Sequence, residues 1–106
     1  MKLVILMYLE DDTAHVEKLL AAHQVLAYTA IPVEGHGLGT AGWYGKVAPY
    51  ASRMLLAFLP ATKAEELLAA VGAGSGCSDP EHPIHAWQVG VETSITSGHR
   101  AATERA

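Results

Sequence analysis

Two short stretches of helical period interrupt an otherwise strand-like chain, and their placement constrains the fold more than any other feature. Val16, Leu19, Leu20 and His23 recur at i, i+3, i+4 and i+7, which gives one helix a single inward face. Ala64, Leu67, Leu68 and Val71 repeat the pattern. Before the first stretch, Leu3–Leu9 is an apolar run ended by Glu10, Asp11 and Asp12, the mark of a buried central strand. A second strand is expected from Val25 to Val33, with Val25, Ala27, Thr29, Ile31 and Val33 on one side. Pro32 cannot donate to a ladder, so that strand belongs at an edge or at a bulge. Arg53–Leu59 reads as a third strand, stopped by Pro60. In the fourth, His85, Trp87, Val89, Val91, Thr93 and Ile95 alternate with Ala86, Gln88, Gly90, Glu92 and Ser94.

End signals agree with this division. Asp12 or Thr13 is placed to cap the first helix. Thr62 and Glu65 have the spacing of a capping box, and Gly72 and Gly74 terminate the second helix. Strand, helix, strand, strand, helix, strand, joined by right-handed crossovers, leaves essentially one compact solution. It is the α+β ferredoxin-like βαββαβ sandwich over residues 1–98: an antiparallel four-stranded sheet with two helices on one face. A polar tail follows at 99–106. The sheet's second face is then left open, with Trp87, Val89, Ile31 and Val33 available to it. That is too apolar for a comfortable monomer, so self-association is expected on physical grounds.

Composition narrows the partners. Half of the 106 residues are hydrophobic, enough for one core, while 17% are charged with a net charge of −4. The seven Lys and Arg are scattered and none are adjacent, so the clustered cations that neutralise nucleic-acid phosphates or anionic membranes are missing. Cys77 is the single cysteine, which suits a reducing compartment. The apolar start is too short for a membrane span, and it runs into acids rather than a small-residue cleavage site. A cytoplasmic protein is expected.

Catalytic motifs are missing: there is no GxSxG elbow, P-loop, HExxH or CxxC. A non-enzymatic role is therefore expected. The conspicuous feature is the connection between the second and third strands, Glu34 to Ser52. Hairpin loops usually hold two to five residues, and a loop several times longer is by base rates either functional or disordered. It opens with Gly35, His36, Gly37, Leu38 and Gly39, where alternating glycines permit positive φ and a close approach of backbone N–H groups to an anion. Farther on it carries Lys46 with Trp43, Tyr44 and Tyr50, and the three rings are suited to anchoring a partner protein.

The segment Thr29-Ala30-Ile31-Pro32-Val33-Glu34-Gly35-His36-Gly37 resembles the part of nitrogen-regulatory PII proteins that ends the second strand in Gly-Phe-Gly and opens the T-loop. The element order and the closing Ile95-Thr96-Ser97-Gly98 are similar as well. The resemblance implies a homotrimer that binds a small effector, AMP, ADP or ATP, in clefts between subunits. It implies signalling to a transporter or enzyme through the 34–52 loop, with no required cofactor. On these positions Thr29, Gly35, His36, Gly37, Gly39 and Gly98 would line the cleft. The sequence departs from the family at Gly39, where nitrogen-sensing members place a glutamine for 2-oxoglutarate and magnesium. It departs again at Thr96, where they carry an arginine, and in residues 74–81, which lack a Gly-Lys phosphate grip. Lys46, Arg53 and Arg100 are the cations left for a phosphate.

A metal-binding alternative rests on His82, Pro83, Ile84 and His85 with nearby Cys77 and His36. Imidazoles and a thiol suit zinc or copper, although this spacing matches no established metal motif. On that reading the chain would be a trimer of the divalent-cation tolerance type, or a sensor associated with metal efflux.

Overall fold

A computed structural model describes residues 1–36, 49–75 and 82–98. β1 (Lys2–Leu9) passes through a short 3-10 turn (Glu10–Asp12) into α1 (Thr13–Ala22). Then come β2 (Thr29–Gly35), β3 (Tyr50–Leu59), α2 (Ala61–Gly72) and β4 (His85–Gly90). The sheet order is β2-β3-β1-β4 with every pairing antiparallel, the expected ferredoxin-like arrangement. Among the described residues, no helix is long and apolar enough to cross a membrane.

Strand pleating sorts β1 and β3 into two faces. Val4, Leu6 and Tyr8 face the helices together with Leu55, Ala57 and Leu59, all of them buried. Val16, Leu19 and Leu20 of α1 and Ala64 and Leu67 of α2 close over them, while Leu68 and Val71 pack at the margin. Both apolar helix stripes therefore fall on one side of the sheet, as right-handed crossovers require.

Both helices end in the same device. Gln24 takes a φ of 55° and Val25 N–H donates to Leu20 O at 2.8 Å, while Gly74 takes 93° and Ser75 N–H donates to Ala70 O at 3.0 Å. Each is a left-handed residue followed by a six-to-one hydrogen bond that satisfies an orphan carbonyl. Gly74 fills that role as its sequence suggests. Gln24 fills it at a cost, because a side chain tolerates the left-handed region less well than glycine does.

Several local expectations are corrected. β2 begins at Thr29 rather than Val25, because Val25 is drawn into the core beside Leu20 as part of the α1 ending. Neither helix start uses a side-chain cap. Thr13 Oγ1 instead donates to Glu10 O at 2.7 Å, and α2 begins ahead of Thr62, with Ala64 N–H bonded to Pro60 O. β3 starts at Tyr50, so Glu34, Gly35, Tyr50, Ala51 and Ser52 belong to the ladder and the connection proper is 36–49. β4 stops at Gly90, well short of Ile95. Pro32 does lie in an edge strand, the placement its missing N–H calls for.

The opposite face of the sheet is an apolar tract. Register sets Leu3 between Phe58 and Val89, Ile5 between Leu56 and Trp87, and Met7 between Met54 and His85. Ile31 extends the tract beside Met54. Phe58 is 58% exposed, Val89 50%, Trp87 43% and Ile31 41%.

Candidate functional site

The β2–β3 ladder runs past the end of β1. Leu9, the last residue of β1, pairs with Ser52, whereas β2 and β3 continue to the pair Gly35–Tyr50. A two-stranded ribbon thus extends beyond β1 as far as the start of the 36–49 connection. At its tip the Tyr50 ring lies over the Gly35 α-carbon, where an added Cβ would collide with it. Tyr50 is 6% exposed, and burial pushes its phenol up from the ordinary value. Gly35 is not among the described residues with positive φ, so glycine serves here as room for a ring rather than as a hinge.

Next to this contact, His36 Nε2 and Glu34 Oε2 are 2.6 Å apart on the surface. An open groove of about 380 Å³ is lined by Pro32, Val33, Glu34, Pro49, Tyr50 and Ala51. It is apolar-walled with one carboxylate, and it occupies the root of the connection.

The other candidate residues are distributed along the sheet. Thr29 and Gly35 stand at opposite ends of β2, roughly 20 Å apart at about 3.4 Å per residue. That exceeds the reach of a purine and its ribose. Gly98, with φ 116°, follows β4, which leaves the sheet at the end opposite Gly35, where Gly90 pairs with Lys2. Thr29, Gly35 and His36 cannot therefore grip one small effector within a single subunit. One small ligand could meet both kinds of residue only if Thr29 came from one copy and Gly35 from another.

Arg53 is already engaged. Burial raises the pKa of the Tyr8 phenol, and a hydrogen bond and the charge of Arg53 partly oppose that rise. This guanidinium is thus directed to Tyr8 on the helix-covered face. Gly37, Gly39, Trp43, Tyr44 and Lys46 lie outside the described residues, as do Cys77 and Arg100.

The two histidines offered for metal binding have different surroundings. His82 Nδ1 is 3.8 Å from Oδ2 of Asp12, which is fully buried at the start of α1. His85 stacks on Trp87 with ring centroids 6.0 Å apart and planes at 20°, on the open sheet face. Burial lowers its pKa from the ordinary value. Among the described residues, no group of three or more His, Cys, Asp or Glu is placed to hold a metal ion.

Sequence reasoning passed over Leu3, Ile5, Met7, Met54, Leu56 and Phe58 as members of the open face. The signal was present: the apolar runs of β1 and β3 do not alternate with polar residues, which is the pattern of strands covered on both sides. No protein-family model matches the chain, and no curated protein matches it.

Proposed function

We propose that this chain is a non-enzymatic, PII-like regulatory subunit that assembles as a cytoplasmic homotrimer. It binds a small effector, an adenine nucleotide, between subunits and signals occupancy through the 36–49 connection to a transporter or enzyme. The observation that carries this reading is the separation of Thr29 from Gly35 and His36 along β2, combined with an uncharged, uncovered sheet face. A site whose parts lie roughly 20 Å apart becomes a site only when copies meet, and the apolar face supplies the reason for them to meet. The Gly35–Tyr50 contact holds the ribbon at the root of the loop, so a ligand bound there would select among loop arrangements that a partner reads.

Isothermal titration against AMP, ADP, ATP and cyclic nucleotides, with the molar mass measured in the same buffer, tests the proposal. Binding of one of these to a trimer is expected. A trimer that binds none of them removes the nucleotide reading, and a single-subunit mass removes the shared site altogether.

A further inference from the structure

Past Gly90 the chain keeps the composition of a strand without the ladder of one. Val91, Thr93 and Ile95 continue the two-residue alternation of His85, Trp87 and Val89, and β-branched residues favour extended backbone. The last bond to β1 is nevertheless Val91 N–H to Met1 O at 3.3 Å. The backbone bends at Glu92, and 93–97 have no regular structure. Ile95 is left 88% exposed. One exposed isoleucine is ordinary. This one stands on a segment without regular structure, in a molecule whose sheet has an uncovered apolar face.

The size of that face indicates what the arm meets. Four strands at about 4.8 Å spacing and about five residues at 3.4 Å give a footprint of roughly 19 by 17 Å, on the order of 300 Å². A specific, stable interface removes about 800 Å² from each partner. The face alone falls short by more than half. An arm over 91–97 adds about 23 Å of extended chain, with backbone donors and acceptors as well as apolar side chains. Charge does not oppose self-pairing, since the outward positions of the four strands hold no Lys, Arg, Asp or Glu.

We infer that Val91–Ser97 is an exchanged arm that crosses to a second copy of this chain. There it forms main-chain hydrogen bonds and seats Ile95 against that copy's open sheet face. An arm-to-face contact joins two different patches, so it is satisfied reciprocally in a two-fold pair or head-to-tail around a ring whose rotation closes, as in the proposed trimer. This rests on the self-association proposed above and deepens it by naming the segment that reaches across.

Light scattering and amide hydrogen exchange on the full chain test the inference. The wild type should have a mass above one subunit, with exchange at Thr93–Thr96 slowed about 10-fold or more relative to an open chain. Ile95→Asp should move the mass towards one subunit at equal concentration, with an unchanged far-UV spectrum, because so exposed a side chain contributes little to its own subunit. An Ile95→Asp protein of wild-type mass with freely exchanging arm amides overturns the arm while leaving self-association intact. A single-subunit wild type overturns both. Should the variant fail to fold, exchange in the wild-type arm decides alone: protection supports the exchange and free exchange refutes it.

Discussion

Replacing Gly35 by alanine tests how the root of the β2–β3 connection is built. The new methyl group would occupy the volume of the Tyr50 ring. Two responses are open to the protein. Expelling the ring exposes a side chain that buries about 150–250 Å², costing about 4–6 kcal/mol at about 25 cal/mol per Å². Tilting the ring and shifting the ribbon is ordinary overpacking and costs about 1–3 kcal/mol, so that response wins. Alanine also restricts the unfolded chain, which returns about 0.4–1 kcal/mol where φ is ordinary, as it is at Gly35. The net expectation is a loss of about 1–2 kcal/mol, or a drop in Tm on the order of 5–15 °C.

Urea unfolding followed by far-UV circular dichroism, at fixed protein concentration because assembly contributes to stability, measures this loss. The decisive comparison is a cycle with Tyr50→Ala. Once the ring is gone, Gly35→Ala should cost nothing and should stabilise slightly, leaving a coupling of about 1–3 kcal/mol, the overpacking penalty itself. An equal penalty in both backgrounds would show that the ring is not what demands glycine. A Gly35→Ala protein as stable as the wild type would refute the packing argument outright.

Two further perturbations probe the core and the open face. Leu67 is fully buried between α2 and the sheet, so Leu67→Ala should cost about 2–5 kcal/mol in the same unfolding assay, and a loss of a few tenths would mean that the helix is not anchored there. His85 is held neutral by burial, with its pKa below the ordinary value of about 6.5. The unfolded chain therefore takes up a proton first as pH falls, so this contribution is complete above about pH 6.5 and declines as pH drops towards the folded pKa. Denaturation midpoints between about pH 7.5 and pH 5 should fall more steeply for the wild type than for His85→Gln, and identical slopes would contradict the assignment.

The spacing of Val16, Leu19 and Leu20 and of Ala64 and Leu67 was enough to determine two helices that each bury one face, because a helix must bury its stripe against something, and crossover handedness put both on one side of the sheet. The strand order followed from crossover handedness, and the edge position of β2 was legible in Pro32. These are local or topological constraints, carried by periods of two and 3.6 residues that the chain displays openly.

Contacts between distant residues were decided only in three dimensions. Gly35 reads in the sequence as a glycine for positive φ and close approach to an anion, yet the fold places Tyr50 on it across the ladder. Val25 alternates as a strand residue would, yet closing α1 draws it into the core. Arg53 reads as a cation for a phosphate, and tertiary packing turns it towards Tyr8. Val91 to Ile95 alternate like a strand, but a strand exists only where a neighbour supplies its hydrogen bonds. Alternation records which residues can share a face, whereas the register of pairing decides what lies opposite them, and register belongs to the whole fold.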